Sequence, residues 1–172
     1  MHPRLRSALT LTGLVALVLV ASAWGLFALT RPLPQQEVVP VCTNTRVAAG
    51  AEVTPEQVAV SVFNASTRNG LASKTLGQLV TRGFVPASTG NAPQGTEVKG
   101  VQVWASDARN PAVALVAQHF RNARVVAGSN LGPGVVVVVG NGFKSLRPRK
   151  QAPQAVTAEA NSVVCTPPDV LP

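Results

Sequence analysis

Val60-Ser61-Val62-Phe63-Asn64-Ala65-Ser66-Thr67-Arg68-Asn69-Gly70-Leu71-Ala72 is the stretch on which the fold turns. Val60 and Val62 alternate with Ser61 at the period of a strand, and Phe63 extends the run. The polar residues from Asn64 to Gly70 then break it with turn and helix-cap chemistry. From Leu71 an amphipathic pattern begins, with Ala72, Leu76, Leu79 and Val80 on one face at helical spacing. A strand that passes through a polar Gly/Asn loop into a helix opens a small α/β unit.

Downstream residues continue the pattern. The first helix is expected over 70–81, capped by Asn69 or Thr67 and closed by Gly83 in the left-handed conformation. Strands are expected at 58–63, 84–88, 101–104, 124–127 and 135–139, with 89–100 as an exposed loop. A second helix is expected over 111–121, with Pro111 at its first position behind an Asn110 cap. Val113, Val116, Ala117 and Phe120 would face the sheet. Val135 to Val139 is an unbroken β-branched run between Gly-rich turns, the signature of a strand covered on both faces. The fold class is therefore α/β: a compact layered domain, order β-α-β-β-α-β-β, after a single N-terminal transmembrane helix.

That helix is read from residues 8–29, which carry no charge and are long enough to cross roughly 30 Å of hydrocarbon. Arg4 and Arg6 precede the run, and Arg31-Pro32 ends it. Positive charge on the short N-terminal side places that end in the cytoplasm and exports the rest. The rival reading is a cleaved signal peptide, since Ala21-Ser22-Ala23 fits a small-residue cleavage site. Continuation of the apolar run through Trp24, Leu26, Phe27 and Leu29 favours an uncleaved anchor. Both readings export the domain. The organisation expected is a cytoplasmic N-terminus at 1–7, an anchor at 8–29, a Pro-rich stem at 30–56, the α/β domain at 57–143 and a basic, Pro-rich tail at 144–172.

Aromatic residues are scarce (no Tyr, two Trp, five Phe), so the core must be built from Val, Leu and Ala. Of 15 Lys and Arg, all but Arg4 and Arg6 follow the anchor, and those 13 outnumber the 7 acids by 6. On the far side of a membrane such a charge points to anionic envelope polymers or lipid headgroups and not to nucleic acid. A solvated basic surface with no partner is the plain alternative. Cys42 and Cys165 both fall on the exported side, and an even count in an oxidising compartment implies one disulfide between stem and tail. Two isolated cysteines offer no metal-ligand cluster. Residues 151–160 read as a helix or a disordered tail.

Catalytic chemistry finds little support. His119, beside the core residue Phe120, is expected on the surface or at the boundary of the second helix. A Ser-His-Asp set would need Asp107 or Asp169 to converge on it. The acids are too scattered to suggest a glycosidase pair. The segment from Gly140 to Ser145 lacks P-loop spacing and reads as a strand-ending turn. Asn64-Ala65-Ser66 matches a glycosylation sequon, but helix-entry turn chemistry explains it. No cofactor is implied.

Two stretches are candidate contact sites. In the first, Asn64, Ser66, Thr67, Arg68 and Asn69 present short polar groups and one charge beside a helix N-terminus, where exposed amides favour an anion. Plain capping of the helix is the alternative. In the second, Lys144, Arg147, Arg149 and Lys150 could meet anionic lipid or wall polymer, with binding that weakens as salt rises.

With those residues in view the chain resembles the LytR C-terminal domain family. The likeness is carried by Val60 to Ser66, Asn69-Gly70-Leu71-Ala72, Leu79 to Phe84 and Val135 to Gly140, over residues 57–143. A further likeness, to actinobacterial envelope-integrity proteins, rests on Trp24 to Pro32, the cysteine soon after and the near-terminal Cys165. The chain departs from that second pattern in lacking a cysteine pair inside the domain. The resemblance implies a membrane-tethered, extracytoplasmic protein that supports cell-envelope integrity without a catalytic centre. It would bind wall polymer or an envelope-assembly protein. A scaffold for a wall-synthesis complex that touches no glycan is the alternative, and an envelope enzyme a third.

Overall fold

The computed structural model describes residues 3–29 and 40–168, with side-chain surroundings for 12–28 and 40–168. The chain divides into two units, Met1–Val39 and Pro40–Pro172.

In the first unit a helix, α1, runs without interruption from Pro3 to Leu29. Leu14, Leu17, Leu19, Trp24 and Phe27 are all exposed, and the helix has no polar face. Ser22 donates back to the Val18 carbonyl at 2.7 Å, which satisfies its hydroxyl within the helix. Among the described residues no helix is long and apolar enough to cross a membrane. Residues 30–39 of the expected stem lie outside the described residues.

The second unit opens with two short strands, β1 (Thr43–Val47) and β2 (Glu52–Val53). It continues as β3 (Ala59–Asn64), α2 (Leu71–Val80), β4 (Val85–Asn91), β5 (Val101–Trp104), α3 (Pro111–Gln118), β6 (Ala123–Val126) and β7 (Val135–Val139). Those seven elements follow the expected order. Two more strands, β8 (Val156–Thr157) and β9 (Ser162–Thr166), close the chain.

Five strands form one mixed sheet in the order β4-β3-β7-β5-β6. Each helix joins a parallel pair, α2 between β3 and β4 and α3 between β5 and β6. β7 lies between the two pairs, parallel to β3 and antiparallel to β5. All five of its valines are buried, as a central strand requires. Alternation sends Val135, Val137 and Val139 to the face that carries the helices, where they pack with Val60, Val62, Leu76, Leu79, Val113 and Val116. Val136 and Val138 point the other way, into a smaller cluster with Phe63 and Val98. The α2 face differs from expectation at one position: Val80 is 41% exposed, and Thr75 is buried in its place with its hydroxyl on the Leu71 carbonyl.

Residues expected as stem and tail fold together. β1 pairs antiparallel with β9 from Thr43↔Thr166 to Val47↔Ser162. β2 pairs with β8 through Glu52↔Thr157 and Val53↔Val156. Gly50 N donates to Ala158 O and Ala158 N to Ala51 O, both at 2.8 Å, linking the two pairs into one ribbon. A disulfide joins Cys42 to Cys165 at its end, with the Cα atoms 5.3 Å apart. The ribbon packs on α3, so that Ala112 and Leu115 are buried as well as the sheet-facing Val113 and Val116. Residues 151–160 thus supply a strand edge to the domain and not a helix or a disordered tail.

Candidate functional site

The loop from Asn64 to Gly70 is closed by its own side chains. Asn64 Oδ1 accepts from the Ser66 amide at 3.0 Å and from Ser66 Oγ at 2.7 Å, while Asn64 Nδ2 donates to the Arg68 carbonyl at 2.8 Å. The Arg68 amide donates to Ser66 Oγ at 3.1 Å. These are Asx- and Ser-turn contacts, the local chemistry expected where a strand must reverse into a helix. Three bonds then fix the loop to the turn after β7. Thr67 donates through its amide and its hydroxyl to Asn141 Oδ1, each at 3.1 Å, and Arg68 Nη1 donates to the Phe143 carbonyl at 2.6 Å.

The caps named from sequence do not cap α2. Its N-cap is Gly70, with φ of 70°, and no side chain accepts from the first turn. Thr67 is turned toward Asn141, so neither it nor Asn69 takes that place. Asn110 does cap α3, accepting from Ala112 N at 3.0 Å. Gly83 adopts φ of 100° after α2, as its position predicted. The Gly140–Ser145 segment is a turn: Gly140 N donates to Gly100 O at 2.7 Å and Gly142 N to Lys99 O at 2.6 Å.

The four basic residues of the tail are separated by the fold. Lys144 is exposed immediately after Phe143, whose carbonyl holds Arg68. Arg147 is half-buried: its amide donates to the His119 carbonyl at 2.8 Å and its Nη2 reaches the Phe120 carbonyl at 3.4 Å. Its Nε is buried without a partner. Arg149 and Lys150 are exposed on the 3-10 turn that follows.

Arg82 draws the second group together, and no pattern in the sequence singled it out. It sits just past α2, with Nη2 donating to the Arg147 carbonyl at 2.6 Å and Nη1 3.3 Å from His119 Nδ1. His119 is only 1% exposed, against the surface or boundary position expected for it. It ends α3 beneath the ribbon, its ring edge-on to Phe84 at 4.8 Å and its Nε2 3.0 Å from the Pro153 carbonyl. A guanidinium on one nitrogen and a carbonyl on the other define a neutral ring with the proton on Nε2. Burial pushes its pKa down to about 4; the Pro153 carbonyl opposes that shift, and the Arg82 and Arg147 charges reinforce it. Arg82 itself is lowered, by burial first and then by the charge of Arg149.

Two guanidiniums, Arg82 and Arg147, thus lie close to one neutral histidine, Arg149 acts on Arg82 in turn, and among the described residues no carboxylate is ion-paired with any of the three. Among the described residues the one ion pair is Arg109–Asp107, exposed and at 4.0 Å. Glu56 lies over Gly83, the residue after Arg82, without an ion pair to it. Such an arrangement can hold an anion and has no group suited to proton transfer at neutral pH. Among the described residues no cluster of acids, histidines or cysteines could hold a metal ion.

Residues 57–143 match the family described as LytR cell envelope-related transcriptional attenuator, LytR_C. The match takes in half of the chain, and the chain belongs to this family, a non-catalytic one associated with the cell envelope. Among solved structures it is similar to the soluble domain of a conserved hypothetical secreted protein from Mycobacterium marinum. The identity is 21% and the TM-score 0.44, over 64% of this chain and 78% of that one, a likeness too distant to inform on a ligand. No curated protein matches the chain in sequence.

Proposed function

We propose that this protein is a non-catalytic, single-pass membrane protein whose α/β domain lies outside the cytoplasm and supports envelope integrity by binding an anionic cell-wall polymer. The observation that carries the reading is the unneutralised group Arg82, Arg147 and Arg149, with exposed Lys150 beside it. Like charges gathered without a counter-ion repel one another, and a polyanion relieves that repulsion where a neutral partner would not. Arg68 and Lys144 form a second basic point beyond the other end of α2. The loop residues Asn64, Ser66 and Thr67 set its shape, with Asn69 beside them.

Three further observations support export and anchoring. The Cys42–Cys165 disulfide suits an oxidising compartment. The uncharged stretch 8–29 lies within one helix, with Arg4 and Arg6 on its short N-terminal side, so the N-terminus would be cytoplasmic. The leader-to-domain resemblance to the actinobacterial envelope integrity protein Cei fits the same topology.

The test is co-sedimentation of the full chain with purified cell wall, before and after chemical removal of its anionic polymer. Binding should be lost with the polymer and should weaken in Arg149→Gln/Lys150→Gln, whose side chains are exposed and whose fold should be intact. Equal sedimentation with stripped wall would reject the polymer. Recovery of a stable membrane-protein complex with no wall binding would favour a scaffold or an envelope-assembly partner instead.

A further inference from the structure

A cavity of about 240 Å³ lies away from the basic groups, at the end of the sheet where β5 and β6 finish and β3 and β7 begin. Val113, Val135 and Val164 contribute aliphatic surface to its lining. One wall is Trp104. The indole is fixed twice over: Nε1 donates to Gln102 Oε1 at 2.9 Å, and the ring packs on Gly128. A Cβ at residue 128 would stand 2.5 Å from the indole Cγ, so the ring holds this place only because the residue is glycine.

The rim is polar. Asn44, Ser106, Asp107, Ser129 and Asn130 line it. Asp107 Oδ1 accepts from the Arg109 amide and Asn130 Oδ1 from the Gly132 amide. Asp107 Oδ2, Asn130 Nδ2 and the two serine hydroxyls have no hydrogen-bond partner among the described residues. The one charged residue lining the cavity is Asp107, whose ion-pair partner Arg109 is exposed outside the lining.

We infer that this cavity takes a neutral sugar ring. A pyranose offers an apolar C–H face to an aromatic and aliphatic wall, and hydroxyls that both donate and accept. The rim supplies acceptors in Asp107, donors in Asn130 and groups of both kinds in the serines. Anionic sugars are disfavoured, because the charge that lines the cavity is a carboxylate, which the exposed Arg109 at 4.0 Å offsets only weakly. This site is separate from the arginine group and does not depend on it. Together they would let one domain hold both a neutral glycan unit and an anionic chain.

Trp104 makes the test direct. The chain has two tryptophans, and Trp24→Phe leaves Trp104 as the sole emitter. The full chain with that change, in a sugar-free detergent, is titrated with glucose, N-acetylglucosamine, a soluble neutral oligosaccharide and glucuronate. The neutral sugars should give a saturable change in Trp104 emission, with glucuronate binding about tenfold more weakly. Asn130→Ala should weaken the neutral sugars about tenfold, the loss of one hydrogen bond to a buried ligand. Ser129→Phe, which fills the cavity from an exposed position, should abolish the response, and Asn44→Phe from another part of the rim serves if that variant does not fold. The absence of any saturable change with the neutral sugars would overturn the inference. So would a response that survives in a folded cavity-filled variant, or one confined to glucuronate. Arg149→Gln/Lys150→Gln should leave the sugar response untouched, so failure here is distinct from failure of wall binding.

Discussion

Removing the Cys42–Cys165 bridge should cost this domain much of its stability, and the size of the loss follows from the chain. The two cysteines are 123 residues apart, so the cross-link closes nearly the whole folded unit. In the chain-entropy description a loop of that length restricts the unfolded state by about 5 kcal/mol at 25 °C. Folded domains hold about 5–15 kcal/mol in all, so the reduced form should be marginal. For a unit of this size the loss corresponds to a fall in Tm of about 15–20 °C. The bridge also pins a structure that has little else to hold it. β1 and β9 form a two-stranded pair, and such pairs are barely stable alone. Their amides should exchange first when the bridge is cut, ahead of those in β3 and β7. The assay is thermal and urea unfolding of Cys42→Ala/Cys165→Ala beside the oxidised protein, with hydrogen exchange by mass spectrometry to locate the opening. A Tm within about 2 °C of the oxidised protein would refute the reasoning, since the ribbon would then be holding itself.

Four other outcomes can be checked by similar means. The His119 pKa is lowered from 6.5 to about 4 in the fold, so its contribution is whole above pH 6.5 and drains away as the pH falls to about 4. The loss should be about 3 kcal/mol, and His119→Gln should flatten that part of the stability–pH curve. Gly134→Ala should destabilise by more than about 2 kcal/mol in urea unfolding, because the residue has φ of 73° and a Cβ would collide with the Ala59 carbonyl. Asn110→Ala should cost about 1–2 kcal/mol, since the side chain both caps α3 and donates to the Val163 carbonyl at 2.7 Å. Arg68→Ala should loosen the loop from the Phe143 carbonyl, seen as faster exchange in residues 64–70, while the melting of β3 and β7 changes little.

The order of elements was legible because the signals were local. Val135 to Val139 between glycines, Pro111 behind Asn110, and Gly83 after Leu79 each declare themselves within a few residues, and each lies where its pattern put it. What escaped was whatever depends on residues far apart in sequence. β1 is short and polar, β9 is short with an exposed valine at its second position, and neither reads as a strand until its partner is known. Because that ribbon was invisible, the second covered face of α3 was too, and with it the burial of Leu115 and His119. The binding groups show the same division. Lys144, Arg147, Arg149 and Lys150 form a run in sequence, yet the fold turns Arg147 inward and brings in Arg82 from the end of α2. A lone arginine before a helix-stop glycine carries no mark of that role. Trp104 and Gly128 likewise meet only across β5 and β6.

The central claim is that an unpaired basic surface holds a wall polyanion, and its electrostatic origin can be read from one titration. The fraction of full-length protein that sediments with intact wall is measured as salt rises from about 0.01 M to about 1 M, which shortens the Debye length from about 30 Å to about 3 Å. A steep fall, shallower in Arg149→Gln/Lys150→Gln, is the predicted result. Binding that does not change with salt, or none even at the lowest salt, would contradict it.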